Sequence, residues 1–127
     1  MSKILVAEDN AVNRELLREL LEMRGHRLVE ACDGLETLRM IEQSQPDLLL
    51  LDIGMPALDG YGVVRKIREN PSSAALRVLA VTAYAMQGDR EKILTAGFDG
   101  YLSKPINAQF LMQEIERLMS DKPDQQG

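Results

Sequence analysis

The sequence predicts an α/β fold, a three-layer sandwich in which a parallel sheet of five strands lies between two layers of helices. Three observations support this prediction. Five short apolar runs are spaced along the chain, amphipathic segments separate them, and turn or capping residues mark most boundaries. Continuous apolar runs are typical of strands that are buried on both faces. Right-handed crossover connections then place the intervening helices on both sides of the sheet.

Each predicted strand is a short run of apolar residues bounded by polar or turn residues. The runs, in chain order, are KILVA (3–7), HRLVEA (26–31), DLLLLD (47–52), RVLAVTA (77–83) and GYLS (100–103). The third run has an unusual end, because an almost wholly apolar segment finishes on Asp52 and leads into a loop rich in glycine and proline. An acid is costly to bury, so Asp52 is expected at the mouth of a cleft or beside a partner.

Each predicted helix combines apolar residues at helical spacing with residues that begin or end a helix. The helices, in chain order, are residues 11–23, 33–44, 60–70, 86–97 and 107–119. The predicted N-caps of the first, second, third and fifth helices are Asn10, Asp33, Asp59 and Asn107. The predicted ends of the first, third and fourth helices are marked by Gly25, Pro71 and Gly97. The apolar stripe of the first helix consists of Val12, Leu16, Leu20 and Met23.

Length and composition indicate one globular domain, predicted at residues 1–120, followed by a frayed polar tail at residues 121–127. The chain has 127 residues and a formal net charge of −5, which argues against nucleic acid or an anionic membrane as the main partner. Its single cysteine, Cys32, excludes an internal disulfide. Acids appear too early for a signal peptide, and no apolar run approaches the length of a membrane span, so we expect a cytoplasmic location.

Polar or charged side chains follow four of the five predicted strands. These residues are Glu8 and Asp9 after the first strand, Asp52 at the end of the third, Thr82 at the end of the fourth, and Lys104 after the fifth. In a fold of this class, ligands bind beyond the carboxyl ends of the strands. Three of the five groups are carboxylates, and each close pair costs about 4 kcal/mol at roughly 4 Å and an effective dielectric near 20. The cluster is therefore expected to bind a cation or to take up protons.

The ligand chemistry of this cluster indicates a hard cation, because it offers carboxylate oxygens and no cysteine or histidine. Mg²⁺ or Mn²⁺ suits such a site, whereas zinc does not. A magnesium site with a few carboxylates and several waters can receive a phosphate. Lys104 supplies a positive charge for a phosphoryl oxygen, and Thr82 supplies a hydroxyl donor. A metal, a lysine and a hydroxyl around Asp52 indicate phosphoryl transfer to that carboxylate.

These motifs resemble those of a known family, the receiver domain of two-component response regulators, and the resemblance covers the chain from residue 3 to about residue 119. LVAEDN matches the acidic pair, LLLDIGMPALDG the phosphoacceptor segment, VTA the switch hydroxyl, and AGFDGYLSKP the switch aromatic and the catalytic lysine. The family's roles then fall in chain order on Glu8, Asp9, Asp52, Thr82, Tyr101 and Lys104. The implied fold is flavodoxin-like, (βα)5, with strand order 2-1-3-4-5. The Lys104–Pro105 bond is expected to be cis.

The resemblance implies a mechanism for this chain. Asp9, Asp52 and the backbone carbonyl of Gly54 would ligate Mg²⁺, with Glu8 acting indirectly. Asp52 would take the phosphoryl group from a phosphohistidine on a histidine kinase or a histidine phosphotransfer protein. Lys104 would pair with the bound group. Thr82 and Tyr101 would then move and reshape the surface formed by the fourth helix, the fifth strand and the fifth helix, where a downstream protein binds.

The resemblance also implies partners and an oligomeric state. EDNAVNRELL, VTAYAM and LSKPI are similar to single-domain DivK-type regulators and equally to receivers attached to hybrid histidine kinases. The expected phosphodonor surface consists of Ala11, Asn13, Arg14, Leu17 and Ile106. We expect a monomer or weak dimer. We also expect that it is not a turnover enzyme, although it forms an acyl phosphate on itself and hydrolyses it slowly.

Three other functions are consistent with a fold of this class. A flavin binder would need a hydroxyl-rich phosphate loop after the first strand, where this chain has acids. A haloacid-dehalogenase-type phosphatase would need a second acid two residues after the nucleophile, where this chain has Gly54. The remaining alternative is a receiver-like docking module that acts without phosphate, and such modules usually lose an acid or the lysine.

Overall fold

Five strands and five helices alternate along the part of the chain that the structure describes. The structure is a computed structural model, and it describes residues 2–55, 58–83 and 89–120. The strands are β1 (Lys3–Ala7), β2 (Arg27–Ala31), β3 (Leu48–Asp52), β4 (Arg77–Thr82) and β5 (Gly100–Ser103). The helices are α1 (Ala11–Glu22), α2 (Gly34–Ser44), α3 (Gly60–Glu69), α4 (Asp89–Ala96) and α5 (Ala108–Ser120).

The strands form one parallel sheet in the order β2-β1-β3-β4-β5, which confirms the predicted fold and strand order. The register aligns the carboxyl ends of neighbouring strands. Ala7 of β1 pairs with Leu51 of β3, Asp52 of β3 with Val81 of β4, and Thr82 of β4 with Ser103 of β5. Residues that follow these strands therefore meet at one edge of the sheet.

Alternate residues of the strands pack into two apolar clusters, one on each face of the sheet. On one face, Leu5 and Leu49 pack with residues of α2, α3 and α4. On the other face, Ile4 and Leu50 pack with residues of α1 and α5. All five residues of β3 are buried, which is the burial expected of a central strand covered on both sides.

The predicted N-caps are present at four helices. The side chains of Asn10, Asp33, Asp59 and Asn107 each accept a hydrogen bond from a backbone N–H three residues later. The fourth helix was predicted to begin at residue 86, and that start lies outside the described residues, as does the predicted tail at residues 121–127. Within the described ranges, no helix is long and apolar enough to cross a membrane.

The predicted apolar stripe of α1 was wrong at three of its four residues, and only Leu20 of the four packs, partly buried, against the core. Val12, Leu16 and Met23 are 75%, 45% and 81% exposed, whereas Leu17 and Leu21 are buried against the sheet. Leu16 and Leu17 form one leucine doublet and Leu20 and Leu21 another, so helical spacing supports two neighbouring stripes. The stripe through Leu17 and Leu21 faces β1 and α5 because it completes the core on that side.

Gly60 begins α3 where that helix passes close to the chain after β3. A Cβ atom at Gly60 would lie 2.7 Å from the Cα atom of Ile53, closer than any side chain can approach a backbone atom. The Gly60 N–H also donates to the Ile53 carbonyl at 2.9 Å. The glycine therefore allows α3 to start directly beside the segment that carries Asp52.

Candidate functional site

Three carboxylates lie together at the carboxyl edge of the sheet. Glu8 and Asp9 follow β1, and Asp52 is the last residue of β3. One carboxylate oxygen of each residue lies within 4.8 Å of the others. Glu8 and Asp52 are buried, being 2% and 7% exposed, whereas Asp9 is exposed. The sequence-predicted acids are thus brought into one cluster.

Lys104 faces two of these acids from the end of β5. Its Nζ atom lies 3.1 Å from Glu8 Oε1 and 3.2 Å from Asp52 Oδ2. Its backbone N–H donates to the Thr82 carbonyl at 2.8 Å, which continues the β4–β5 ladder past the last strand residue. The Lys104–Pro105 peptide bond is cis, as the resemblance implied. The lysine is therefore positioned by the sheet itself.

The carboxylate of Glu8 is the most buried of the three. Its Oε2 accepts the Asn10 N–H at 3.1 Å. Its Oε1 forms an ion pair with Lys104 but, among the described residues, accepts no well-directed hydrogen bond. Burial raises the pKa of Glu8, the Asn10 N–H counteracts this effect, and the nearby charge of Asp52 raises the pKa further. The ionised form of Glu8 therefore lacks part of the stabilisation that a buried carboxylate needs.

The ammonium group of Lys104 is stabilised by the same acids. Burial alone would lower the pKa of Lys104, but its close contacts with the carboxylates of Glu8 and Asp52 outweigh burial, so the pKa is raised. The lysine is therefore positively charged at neutral pH. This one positive charge is shared between Glu8 and Asp52, in a cluster that contains three carboxyl groups.

The cluster has the chemistry of a site for a hard divalent cation. Its ligand atoms are carboxylate oxygens, three carboxyl groups face one lysine, and among the described residues the buried Glu8 Oε1 contacts only the ammonium group of Lys104 without a well-directed hydrogen bond. Magnesium and manganese prefer oxygen ligands of this kind. The residues present therefore fit the predicted Mg²⁺ or Mn²⁺.

Asp52 is oriented through both of its carboxylate oxygens. Oδ1 accepts the Gly54 N–H at 3.0 Å, and Oδ2 faces Lys104. A Cβ atom at Gly54 would lie 3.8 Å from Asp52 Oδ1, an ordinary van der Waals contact, so sterics alone do not require glycine there. The contact between the two residues is made by the N–H of Gly54, while the metal-binding role of its carbonyl stays a prediction.

The two predicted switch residues lie on neighbouring strands. Thr82 is the last residue of β4, and its side chain is 5% exposed. Tyr101 lies on β5 opposite Ala80, is half-buried, and packs against the cluster on the α2–α3–α4 face. It also lines a groove of about 550 Å³ formed by residues of α4, β5 and α5. Tyr101 thus lies between the core near β4 and the surface predicted to bind a downstream protein.

The predicted docking residues lie near the starts of α1 and α5, but one of them was wrong. Leu17 is 1% exposed and belongs to the core, so its side chain offers almost no surface to a partner. Ala11 is exposed, Asn13 is half-buried, and Ile106 is half-buried against the α1–α5 cluster. Helical spacing alone did not distinguish Leu17 from its exposed neighbour.

Arg14 has a contact that the sequence reasoning missed. We predicted it as a docking residue, yet its Nη1 donates to the backbone carbonyl of Glu8 at 2.7 Å. Its side chain is 18% exposed. Arg14 lies one turn after the cap residue Asn10, which places it above the β1–α1 turn, but this spacing does not reveal which way the guanidinium points.

Comparisons with known proteins agree with this geometry. The family model of the response regulator receiver domain matches residues 4–116. The polar-differentiation response regulator DivK of Brucella anthropi is 35% identical over 118 residues, which are 93% of this chain and 96% of DivK.

Solved receiver domains have the same fold. The receiver domain of a sensor histidine kinase from Pseudomonas aeruginosa PAO1 superposes with a TM-score of 0.87 and 36% identity, over 94% of this chain and 98% of that one. That structure has a magnesium ion coordinated in its active site cleft. The signal receiver domain of a histidine kinase from Syntrophus aciditrophicus gives a TM-score of 0.88 at 28% identity, over 97% of this chain and 93% of that one.

Proposed function

This chain belongs to the receiver-domain family of two-component response regulators, and from this premise we propose that Asp52 accepts a phosphoryl group in a Mg²⁺-dependent reaction. The donor is a phosphohistidine on a histidine kinase or a histidine phosphotransfer protein. The observation that carries the proposal is the position of Lys104 Nζ, 3.2 Å from Asp52 Oδ2 and 3.1 Å from Glu8 Oε1. A lysine, two further acids and a buried aspartate at one edge of a parallel sheet suit phosphoryl transfer to that aspartate.

The metal site is formed by Asp9, Asp52 and the backbone carbonyl of Gly54, with Glu8 acting indirectly. Support comes from the three carboxylate oxygens within 4.8 Å of one another and from the excess of carboxylates over lysine. Bound Mg²⁺, or Mn²⁺ in its place, reduces the repulsion between the Asp52 carboxylate and the incoming phosphoryl oxygens.

The chemical step is an exchange of one bond to phosphorus for another. A carboxylate oxygen of Asp52 bonds to phosphorus as the phosphorus–nitrogen bond of the phosphohistidine breaks, and the bonding electrons leave with the imidazole. The product is an acyl phosphate on Asp52. Lys104, positively charged at neutral pH, pairs with a phosphoryl oxygen as negative charge accumulates there. Burial of Asp52 limits the access of water to the acyl phosphate.

The phosphorylated state changes partner binding through Thr82 and Tyr101. The Thr82 hydroxyl turns to the phosphoryl group, and Tyr101 follows into the space beside β4. The position of Tyr101 supports this proposal, because it touches the core on one side and lines the groove of α4, β5 and α5 on the other. A downstream protein binds this α4–β5–α5 surface. Phosphorylation shifts the equilibrium between two arrangements of the surface and so changes the affinity for that protein.

The phosphodonor binds near the first turn of α1 and the segment after β5. Ala11, Asn13, Arg14 and Ile106 remain in this proposed surface. Val12 and Leu16 replace the buried Leu17, because they are exposed apolar residues on the same helix. Isolated exposed apolar residues are common, but two that lie one turn apart on α1, the helix that follows the acidic pair, suit a protein partner. We further propose that the protein is a monomer or a weak dimer. We also propose that it is a signalling module and not a turnover enzyme.

Beryllium fluoride, which mimics a phosphoryl group on aspartate, tests this proposal by backbone amide NMR. With Mg²⁺ and beryllium fluoride, wild type is expected to change at the amides around Asp52 and along α4, β5 and α5. Thr82→Val keeps the size of the side chain but loses the hydroxyl, so the first set of changes should persist and the second should shrink. Changes that are identical in wild type and Thr82→Val would contradict the switch, and no changes with wild type would contradict the acceptor site.

A further inference from the structure

The turn that presents the acidic pair is held from two sides. The Glu8 N–H donates to the Ala31 carbonyl of β2 at 3.0 Å, and the Glu8 carbonyl accepts from Arg14 Nη1 of α1 at 2.7 Å. The Glu8 carbonyl belongs to the peptide unit that joins Glu8 to Asp9. Any rotation of that unit moves the exposed carboxylate of Asp9 relative to the buried ones. The guanidinium of Arg14 therefore restrains the orientation of Asp9.

The side chain of Arg14 is itself held by an acid on β2. Its Nε lies 3.6 Å from Glu30 Oε1. Glu30 Oε2 accepts from Arg18 Nε at 2.7 Å, and Arg18 Nη1 also pairs with Glu22 at 3.0 Å. Interaction with Glu30 is the main reason that the pKa of Arg18 is raised. This row of alternating charges places the guanidinium of Arg14 over the β1–α1 turn.

The backbone of Arg14 belongs to the same turn. Its N–H donates to the Asn10 carbonyl at 3.0 Å, and the side chain of Asn10 caps α1. The Asn10 N–H in turn donates to Glu8 Oε2 at 3.1 Å. Arg14 is therefore hydrogen-bonded to both ends of this turn, through its guanidinium to the Glu8 carbonyl and through its N–H to the Asn10 carbonyl.

We propose that Arg14, supported by Glu30, is a positioning residue that orients the Glu8–Asp9 peptide for metal binding. Arg14 touches neither the metal nor the acceptor, and it acts through the carbonyl of Glu8. The inference rests on the proposed Mg²⁺ site. Residues that orient metal ligands commonly change metal affinity by about tenfold or more when they are replaced.

The positive charge of Arg14 and its hydrogen bond to the Glu8 carbonyl are expected to have opposite effects on Mg²⁺ affinity. A positive charge near a cation site weakens cation binding, so loss of the guanidinium charge alone would tighten Mg²⁺ binding. Loss of the hydrogen bond to the Glu8 carbonyl would instead weaken it. We expect positioning to dominate, because the charge of Arg14 is already paired with Glu30. The sign of the change therefore distinguishes the two effects.

The test measures Mg²⁺ affinity by titration calorimetry for the wild type, Arg14→Met, Arg14→Lys, Glu30→Gln and Arg39→Met. Arg39 is the matched control, because it is an exposed helix arginine that pairs with Glu36 of its own helix. Arg14→Met should weaken Mg²⁺ binding by about tenfold, with smaller losses for Arg14→Lys and Glu30→Gln. Arg39→Met should bind as the wild type does.

A second measurement is made without metal, so that it still tests the role of Arg14 if the wild type binds no Mg²⁺. In EDTA, Arg14→Met should shift the backbone amide resonances of Asp9 and Asn10, while amides of α5 stay in place and confirm that the variant is folded. If Arg14→Met binds Mg²⁺ as tightly as the wild type or more tightly, Arg14 has no positioning role. If the wild type binds no Mg²⁺, the proposed metal site is contradicted, and unmoved Asp9 and Asn10 resonances would then also overturn the role of Arg14.

Discussion

The ammonium nitrogen of Lys104 lies 3.2 Å from Asp52 Oδ2, although the two residues are 52 positions apart in the sequence. The register of the parallel sheet produces this contact, because β3 and β5 flank β4 and end at the same edge. Glu8 competes for the same ammonium group at 3.1 Å. Lys104 therefore compensates two buried acids, and an incoming phosphoryl group would draw it away from them.

Lys104→Met is expected to change metal binding and phosphorylation in opposite directions. Removing the cation leaves Glu8 and Asp52 uncompensated, so Mg²⁺ should bind roughly tenfold more tightly. Phosphorylation by acetyl phosphate should slow by about a hundredfold, because no charge pairs with the phosphoryl oxygens. Calorimetry and intact mass against time measure the two effects. Lys92→Met on α4 is the control, and a parallel fall in both quantities would show that Lys104→Met simply disrupts the site.

Glu8→Gln is expected to alter how the stability of the metal-free protein depends on pH. Because burial raises the pKa of Glu8 in the folded state, its contribution to stability is fully present below its unfolded pKa and is lost as pH rises through the raised folded pKa. In EDTA, urea denaturation at about pH 5 and about pH 7.5 should show that the free energy of unfolding of the wild type falls with rising pH relative to that of Glu8→Gln, in which His26 and the other titrating groups act as they do in the wild type. An equal difference in both proteins would show that Glu8 is ionised without cost.

The imidazole of His26 is expected to titrate below the usual range of histidine. Burial lowers its pKa, the N-terminal charge adds to the effect, and Nδ1 accepts no hydrogen bond within the described residues. His26 is the only histidine, so its ring signals can be followed without ambiguity by proton NMR.

The lowered pKa of His26 also has a consequence for stability. The free energy of unfolding should fall as pH decreases from about 6.5 through the folded-state pKa, because the unfolded chain binds the proton more tightly. His26→Gln should lose less stability over that interval. A titration midpoint at or above about 6.5 would contradict both expectations.

Gly60→Ala is expected to destabilise the fold by about 1–3 kcal/mol, because the new methyl group would overlap the backbone of Ile53. Gly54→Ala is the matched control, since its methyl group would meet only Asp52 Oδ1 at 3.8 Å. Its effect in EDTA should be within about 1 kcal/mol of zero, because alanine also restricts the unfolded chain. Urea denaturation compares the two. Equal effects would indicate that α3 can move away from Ile53 at little cost.

Much of the fold, and the cluster of polar residues at the carboxyl edge of the sheet, could be predicted because each depends on local sequence. KILVA and DLLLLD each contain four consecutive apolar residues, which is typical of strands in a parallel sheet covered on both faces. Asn10 and Asp59 mark helix starts. The acids and Lys104 follow strands directly, so the topology alone brings them together.

Two other features could not be read from the sequence. Leucine doublets in α1 allow two stripes, and only contact with α5 selects Leu17 over Leu16. The direction of a long side chain depends on its surroundings, and Arg14 turns towards the Glu8 carbonyl because Glu30 lies across from α1 on β2. Both features depend on packing between elements that are distant in sequence.

The central claim, that Asp52 is the metal-dependent phosphoacceptor, is tested most directly by intact mass after incubation with acetyl phosphate and Mg²⁺. The wild type and Asp47→Asn, which changes an exposed acid just before the opposite end of β3, should each gain one phosphoryl group. Asp52→Asn should gain none, and neither should the wild type in EDTA. Phosphorylation of Asp52→Asn, or undiminished phosphorylation of the wild type in EDTA, would contradict the account. So would the absence of any gain in the wild type under conditions in which it binds Mg²⁺.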